Sequence, residues 1–196
     1  MTRIVAGSAG GRTLKVPRKG TRPTSERVRE ALFSTLGSLG AVDDAVVLDL
    51  YAGSGALGLE AVSRGAREAI LVERSAPAAA DLRENVRAVG LPARVVVSDV
   101  TSFLTTSAPL GAHLVLIDPP YDLPSADLDA VLGLLAARHV APDGVVVVER
   151  DRRADPPSWP AGLTDLRTKS YGDTVVYFSE FPGDPATVED TMETDR

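Results

Sequence analysis

The fold is decided by residues 45–58, which read AVVLDLYAGSGALG. An apolar run of strand length leads into Gly53-Ser54-Gly55, and a stretch of helical composition follows. Strand, glycine-rich turn and helix in this order form the opening unit of a βαβ fold, and the G-x-G-x-x-G spacing that ends at Gly58 is typical of nucleotide-binding loops. By itself this pattern does not indicate which nucleotide binds.

The chain beyond this stretch continues the alternation of strands and helices. Further strands are predicted at 69–72, 94–97, 114–117 and 144–149, with helices at 56–63, 77–89 and 123–138. Strands that are apolar throughout predict a parallel sheet covered by helices on both faces. The ranges 163–170 and 174–179 flank the turn Tyr171-Gly172-Asp173, which predicts a closing hairpin. The expected fold is therefore α/β and Rossmann-like, with a mostly parallel seven-stranded sheet that contains one antiparallel strand.

The N-terminal part differs from this domain in charge and composition. Residues 1–23 are rich in Gly, Arg, Lys and Pro and predict an extended arm or a small hairpin. Thr24 or Ser25 is expected to cap a helix that Gly37 and Gly40 end. Residues 1–29 carry eight basic side chains and one acidic, a net +7, whereas the rest of the chain carries 13 basic and 26 acidic, a net −13. A basic arm on an acidic body favours a local polyanion contact; a solvated flexible terminus is the alternative.

Composition restricts the classes of site and of compartment. The chain has 196 residues, no cysteine and only two histidines, His113 and His139, which excludes disulfides, thiol nucleophiles and a multi-histidine metal site. Both histidines are expected at the surface or at the edge of the core, and Trp159 is expected to pack in its proline-rich loop. No stretch has the length of a signal peptide or membrane span, so we expect a cytoplasmic protein. The predicted organisation is a basic arm and helix over 1–40, a catalytic domain over 41–181 and an acidic disordered tail over 182–196.

Three acids follow successive strands. Asp49 lies in the segment Asp49–Gly55, which resembles motif I of the S-adenosylmethionine-dependent methyltransferases, where an acid organises the loop and attracts the cationic amino-acid head of the ligand. Glu73 is placed to accept hydrogen bonds from both ribose hydroxyls, and Asp99 from the adenine amino group. A helix N-cap or a solvated loop charge is the alternative for each acid alone. Tyr51 can pack on the cofactor or on the core.

A buried strand ends at Asp118-Pro119-Pro120-Tyr121. The prolines stop the strand and stiffen the turn, so the carboxylate of Asp118 and the ring of Tyr121 are directed to one place. The carboxylate can accept hydrogen bonds from a planar amine while the aromatic ring stacks on it. This chemistry favours methylation of an amino group on a nucleobase.

The chain resembles the RsmD-type methyltransferases, which act on a guanine N2 of 16S ribosomal RNA. The resemblance rests on Arg3–Gly7, Gly11–Leu14, Arg22–Thr24, Arg27–Glu30, Asp49–Gly55, Asp118–Tyr121 and Tyr171–Thr174. It implies S-adenosylmethionine as cofactor and 16S rRNA or the assembling small subunit as partner, for a monomer without metal or membrane contact. The catalytic residues that it implies are Asp118, Pro119, Pro120 and Tyr121. The cofactor-binding residues are Asp49, Tyr51, Gly53, Ser54, Gly55, Gly58, Glu73 and Asp99. The RNA-binding residues are Arg3, Arg12, Lys15, Arg18, Lys19, Arg22, Thr24 and Arg27.

Two other readings stay open at this point. One is a methyltransferase of another amine, either adenine N6 in DNA or a protein glutamine, although no segment has room for a DNA-recognition region and the glutamine enzymes begin the turn with Asn. The other is a non-catalytic RNA-binding module for ribosome assembly. Such a module needs neither the glycine loop nor the intact Asp118–Tyr121 turn.

Overall fold

The computed structural model describes residues 2–16 and 25–183. In chain order the elements are β1 (Thr2–Arg3), β2 (Thr13–Leu14), α1 (Glu26–Ser38), β3 (Val46–Asp49), α2 (Ala56–Ser63), β4 (Glu68–Glu73), α3 (Ala76–Val89), β5 (Ala93–Val97), α4 (Val100–Thr106), β6 (Ala112–Ile117), α5 (Ser125–Arg138), β7 (Val140–Asp151), β8 (Thr164–Tyr171) and β9 (Thr174–Phe181). None of the helices in these ranges is long and apolar enough to span a membrane.

Seven strands form one sheet in the order β5-β4-β3-β6-β7-β9-β8. Strands β3 to β7 run parallel to one another, and β9 runs antiparallel to both β7 and β8. The predicted sheet with one antiparallel strand is therefore confirmed. The strand order reverses between β3 and β6, and ligands of open α/β sheets bind at the carboxyl ends of the strands beside such a switch point.

Each face of the sheet packs on its own group of helices. On the first face Val47, Leu114 and Val147 contact apolar residues of α1, α2 and α3. On the second face Leu48 and Val115 contact α4 and α5. Successive residues of a strand point to opposite faces, so an apolar residue at every position covers both helical layers. We call the first face the α1–α3 face.

The short hairpin β1–β2 belongs to the core of the domain. Ile4, Ala9 and Leu14 are almost completely buried on the α1–α3 face. Of the two predicted alternatives, an extended arm or a small hairpin, the structure shows the hairpin for residues 2–16, while residues 17–24 lie outside the described part. Ser25 caps α1 by accepting a hydrogen bond from the Val28 N–H.

Other details differ from the expectation. Helix α4 was not predicted, because five of its seven residues are Thr, Ser or Val, which are weak helix formers. Gly37 lies inside α1 rather than at its end, whereas Gly40 takes a positive φ of 67° just beyond it. The prediction for His139 was wrong: this side chain is fully buried, and its Nε2 lies 2.8 Å from the Leu104 carbonyl oxygen. Burial lowers the pKa of His139.

Two side chains at the edges of this fold, His113 and Trp159, lie where the sequence predicted them, whereas the start of α5 differs. His113 is exposed, and its Nδ1 accepts a hydrogen bond from the Val46 N–H. Trp159 packs on the core of the second face, as expected, and its Nε1 donates to Asp165. Helix α5 begins at Ser125 instead of Leu123. Leu123 precedes Pro124, and a proline disfavours the helical conformation of the residue before it. The predicted tail lies outside the described residues from 184 onward.

Candidate active site

Four carboxylates from four adjacent strands meet at the carboxyl edge of the sheet. Glu73 ends β4, Asp49 ends β3, Asp118 follows β6 and Glu149 lies near the end of β7. All four stand two residues beyond a side chain that packs on the α1–α3 face, so the alternation of the strands directs them to that face. The edge at the switch point is therefore strongly acidic on the side that bears the glycine loop.

The glycine loop joins β3 to α2 in a backbone conformation that needs glycine. Gly53 and Gly55 have positive φ angles of 51° and 81°. A Cβ on Gly58 would lie 2.3 Å from Leu71 Cδ2 and 3.2 Å from Asp49 Oδ2, so the start of α2 approaches β3 and β4 more closely than any side chain permits. A Cβ on Gly53 would meet only the Tyr51 carbonyl oxygen, at 4.0 Å, so the space in front of the loop is open.

Asp49 is a buried carboxylate with an unusual pKa. It is only 1% exposed, and its Oδ2 accepts a hydrogen bond of 3.0 Å from the Gly58 N–H. Burial raises the pKa of Asp49 to about 7, and the charges of Asp118 and Glu73 act in the same direction, against the Gly58 hydrogen bond. Its Oδ1 is buried without a hydrogen-bond partner in the described part of the chain. A cationic ligand group in front of the loop would stabilise this carboxylate.

Glu73 connects the glycine loop to the next loop of the sheet. One carboxylate oxygen accepts from the Gly53 N–H at 3.1 Å, and the other accepts from the Ser75 N–H at 2.7 Å. Each oxygen keeps a further lone pair, so the half-buried carboxylate can still accept from ribose hydroxyls in front of it.

Asp99 is the N-cap of α4, which is the alternative that the sequence analysis gave for this acid. Its Oδ1 accepts from the Ser102 N–H at the start of α4. Tyr51 is half-buried against the core of the second face, and burial together with the nearby charge of Asp99 raises its pKa to about 12. Asp99 and Tyr51 therefore lie on the same side of the space in front of the glycine loop, which we call the cofactor region. Asp99 can accept further hydrogen bonds, which fits an adenine amine.

The Asp118–Tyr121 turn forms one wall of an open pocket at the carboxyl end of β6, the strand next to the one that leads into the glycine loop. Pro119 is buried, Asp118 is half-buried, and the Tyr121 ring is 59% exposed although it is a large aromatic group. Glu149, Arg150, Asp151 and Thr174 line the pocket on the other side. An exposed ring beside a carboxylate at the switch point can hold a flat, amine-bearing group.

Arg150 holds the segment that follows this turn, and the sequence analysis did not identify it. The side chain is 6% exposed and donates to the Leu123 carbonyl oxygen at 3.2 Å and to Ser125 Oγ at 3.4 Å. These two residues form the exit of the turn into α5. The buried guanidinium of Arg150 thus fixes the segment that follows Tyr121. This role depends on the pairing of β7 with β6, which the sequence alone does not show.

Asn85 of α3 is a second functional side chain that the sequence did not indicate. It is 2% exposed, and its Nδ2 donates to the Ser54 carbonyl oxygen of the glycine loop and to the Lys15 carbonyl oxygen, both at 2.9 Å. Its Oδ1 accepts from the Lys15 N–H at 2.8 Å. One buried amide therefore joins the glycine loop to the end of the N-terminal hairpin.

The hairpin is held on the domain by a buried ionic network. Arg29 and Glu60 are both fully buried with 3.8 Å between Nε and Oε2, and Glu60 also accepts from the Val5 and Ala6 N–H groups. Burial lowers the pKa of Arg29, with the charge of Glu60 opposing. The Arg29 guanidinium donates to Thr2 and to the Arg3 carbonyl oxygen. The hairpin satisfies groups that would otherwise be buried without partners.

The predicted RNA-binding side chains divide into two groups. Within the described part, Arg3 pairs with Glu26, Lys15 pairs with Glu84, and Arg12 donates to the carbonyl groups of Ala88 and Val89 at the end of α3, while all three remain exposed at the surface. Arg27 is also exposed. Outside the described residues lie Arg18, Lys19, Arg22 and Thr24. The described ranges contain no group of three or more His, Asp or Glu that could hold a metal ion.

Comparisons with known proteins agree with this arrangement. The family model described as "Conserved hypothetical protein 95" matches residues 2–180. The "Ribosomal RNA small subunit methyltransferase D" of Escherichia coli K12 is 38% identical over 173 residues, which cover 87% of this chain and 85% of the relative. The "Putative rRNA methyltransferase YlbH" of Bacillus subtilis is 36% identical over 180 residues, covering 89% and 96%.

A solved structure gives the same result at the level of the backbone. The "Putative methyltransferase yhhF from Escherichia coli" superimposes with a TM-score of 0.82 at 35% identity and covers 93% of this chain and 99% of that one. The matches extend over the hairpin, the glycine loop, the Asp118–Tyr121 turn and the closing β8–β9 hairpin, so no large part of the chain lacks a counterpart. The chain therefore belongs to the conserved hypothetical protein 95 family, the RsmD family of methyltransferases.

Proposed function

We propose that this protein transfers a methyl group from S-adenosylmethionine to the exocyclic N2 amine of a guanine in small-subunit (16S) ribosomal RNA. The observation that carries the proposal is the position of Asp118 and Tyr121 at the switch point of the sheet, where they line one wall of a pocket on the strand next to the one that leads into the glycine loop. The relatives named as ribosomal RNA methyltransferases support the substrate class.

The residues of the cofactor region fit the proposed cofactor in chemical type. S-adenosylmethionine supplies an electrophilic methyl group on a sulfonium centre. Asp49 attracts the cationic amino-acid part through the loop, Glu73 accepts from the ribose hydroxyls, and Asp99 accepts from the adenine amine. Gly53, Ser54 and Gly55 let the backbone approach the ligand, and Gly58 keeps α2 against the sheet. Tyr51 packs beside the base.

Asp118 and the Pro119 carbonyl oxygen hold the two hydrogens of the guanine N2. This amine is a poor nucleophile because its lone pair is delocalised into the ring, and the two acceptors let it pyramidalise and direct the lone pair at the methyl group. With S-adenosylmethionine bound, the N2 lone pair would form the new N–C bond as the methyl–sulfur bond of the donor breaks, and the Asp118 carboxylate would take the proton that N2 loses. The carboxylate also stabilises the positive charge that develops on nitrogen. Tyr121 stacks on the base, and Pro120 stiffens the turn.

The protein acts as a monomer in the cytoplasm, on 16S rRNA or on the assembling small subunit. Residues 1–40 bind RNA through Arg3, Arg12, Lys15, Arg18, Lys19, Arg22, Thr24 and Arg27, residues 41–181 carry catalysis, and residues 182–196 form an acidic tail. Because a paired base cannot reach the pocket, the target guanine lies in a loop or is flipped out.

Two measurements test the proposal together. Mass spectrometry of rRNA nucleosides should find N2-methylguanosine lost from the small subunit of cells that lack the gene. With purified protein, Asp118→Ala should reduce methyl transfer by about 100-fold or more, as loss of a charge-stabilising group does, while the affinity for S-adenosylhomocysteine stays within about threefold because Asp118 lies beyond the adenosine site. Asp122→Ala removes an exposed carboxylate next to the turn and should leave transfer unchanged. Normal turnover by a folded Asp118→Ala protein contradicts the mechanism.

A further inference from the structure

Asp118 and Glu149 stand side by side at the ends of two neighbouring parallel strands. Ile117 of β6 pairs with Val148 of β7, so the next residue on each strand occupies the same level of the sheet. Neighbouring strands lie about 4.8 Å apart. The preceding residues Leu116 and Val147 both pack on the α1–α3 face, and Asp118 and Glu149 continue on that face. Two carboxylates at this separation can act on two adjacent groups of one planar ligand.

Both carboxylates line the open pocket that Tyr121 borders. The exposed Tyr121 ring marks this pocket, rather than the cofactor region, as the place of a flat substrate group. Glu149 is half-buried, and it lies on the far side of Asp118 from the glycine loop, as the strand order β3-β6-β7 requires. A base whose amine is held by Asp118 would therefore present the adjacent atom of its ring to Glu149.

The edge of guanine has donors at both of these positions. Its N2 amine and its N1–H are neighbours, whereas the atom next to the exocyclic amine of adenine is N1 with a lone pair. An ionised carboxylate only accepts hydrogen bonds. A carboxylate at Glu149 thus matches guanine and repels the lone pair of adenine, and such repulsion is an effective source of specificity.

We propose that Glu149 is a specificity-determining residue, which accepts a hydrogen bond from N1–H of the target guanine while Asp118 holds the N2 amine. This inference rests on the proposed function and adds the group that distinguishes guanine from an amine-bearing base without N1–H. The three N–H hydrogens on the guanine edge then meet three acceptors, the two carboxylates and the Pro119 carbonyl oxygen.

The test uses 2-aminopurine, which keeps the amine at position 2 but has a lone pair at N1. The methylated position is first mapped by mass spectrometry with the wild-type protein, and small-subunit RNA is then ligated with guanine or 2-aminopurine at that position. The wild-type protein should prefer guanine in kcat/KM by about 100-fold. Glu149→Gln should reduce this preference by about tenfold or more, because the glutamine side chain can turn its NH2 group toward N1. Glu149→Ala, which removes both the acceptor and the repulsion, should also reduce it.

Asp122→Asn is the matched control, because it removes one negative charge from an exposed side chain next to the Asp118–Tyr121 turn that does not line the pocket. Its guanine preference should equal that of the wild type. The proposal is overturned if Glu149→Gln and Glu149→Ala keep the wild-type preference, if Asp122→Asn changes the preference as much as they do, or if both Glu149 variants bind S-adenosylhomocysteine normally and methylate neither base. A wild-type protein that methylates no guanine N2 would instead refute the proposed function.

Discussion

Asp49 shows how a single residue can couple the fold to the ligand. Its side chain holds the start of α2 through the Gly58 N–H, yet one of its oxygens is buried without a partner in the described part of the chain. A carboxylate whose pKa lies near 7 is costly to ionise in the free protein. A cation bound in front of the loop would offset that cost, so cofactor binding and ionisation of Asp49 favour each other.

The affinity for S-adenosylmethionine should therefore depend on pH through Asp49. With a pKa of about 7 the carboxylate is mostly charged at pH 8 and mostly protonated at pH 6. We expect the affinity of the wild-type protein to fall by about tenfold from pH 8 to pH 6. Asp49→Asn can still accept from the Gly58 N–H but has no charge, so its affinity should be weaker at pH 8 and change less with pH.

Isothermal titration at several pH values, with both proteins, measures this difference. Titration of the ligand's own amino group affects both proteins equally and cancels in the comparison. Because the pKa of Asp49 is raised in the folded state, its ionisation costs stability as pH rises from about 4 to 7. Asp49→Asn should thus be at least as stable as the wild type at pH 8, as unfolding in urea would show. Parallel pH profiles for the two proteins would show that Asp49 serves only to pack the loop.

At the scale of the elements, α3 links the N-terminal hairpin to the cofactor loop. The Asn85 amide makes three hydrogen bonds to two backbone segments, one to the Ser54 carbonyl oxygen of the glycine loop and two to the backbone of Lys15 after β2. Removal of the Asn85 amide would leave the Ser54 carbonyl oxygen and the Lys15 backbone without these hydrogen bonds. The position of the loop thus depends on a residue that touches no ligand.

Asn85→Ala should lower the free energy of unfolding by about 1–3 kcal/mol and also weaken binding of S-adenosylhomocysteine. Arg83→Ala, two residues earlier on the exposed side of α3, should change the free energy of unfolding by less than about 0.5 kcal/mol and leave binding unchanged. Urea unfolding and isothermal titration measure the two effects separately. If Asn85→Ala is destabilised but binds the ligand like the wild type, the loop keeps its geometry without this amide.

The sequence predicted most of these elements because their signals are local. Each parallel strand from β3 to β7 contains an apolar run with a turn residue or an acid at its end, and Ser75 and Gly90 bound α3 as capping residues do. Helix α4 could not be recognised from composition, although Asp99 followed by Ser102 is the spacing of an N-cap. The motif residues of the site were predictable for the same reason.

The supporting residues of the site were not predictable, because their role depends on distant pairing. Arg150 acts on a turn 25 to 27 residues earlier in the chain, and Asn85 acts on Lys15, 70 residues earlier. No local pattern indicates that an arginine in a strand or an asparagine in a helix will be buried. His139 was misjudged for the same reason, because only the packing of β7 on α4 and α5 shows that its ring is enclosed.

The molecule as a whole separates a basic N-terminal part from an acidic site. The carboxyl edge of the sheet carries Asp49, Glu73, Asp118 and Glu149, and this charge repels phosphate groups. Residues 2–16 cannot be removed as a free arm, since Ile4 and Leu14 are fully buried and Glu60 holds the backbone of Val5 and Ala6. RNA attraction should therefore be tested by substitution rather than by truncation.

The triple variant Arg18→Ala, Lys19→Ala and Arg22→Ala should weaken RNA binding and flatten its dependence on salt. Each phosphate contact that is lost should reduce the slope of log affinity against log salt concentration by about one. The matched control removes the same charge from exposed arginines elsewhere, in Arg67→Ala, Arg94→Ala and Arg138→Ala. Binding measured at several salt concentrations should separate the two variants, and equal slopes would show that the basic segment does not contact phosphates.

The docked hairpin also imposes an order on folding. Residues 2–16 are synthesised before the side chains that receive them, because Glu60 follows Val5 by 55 positions and Asn85 follows Lys15 by 70. Contacts at such separations form late, because the intervening chain must first be ordered. Until α2 and α3 have emerged from the ribosome, Ile4 and Leu14 have no core to enter. The hairpin thus docks only after α2 and α3 have been synthesised, and Asn85, which holds the glycine loop, gains its hydrogen bonds to Lys15 only then.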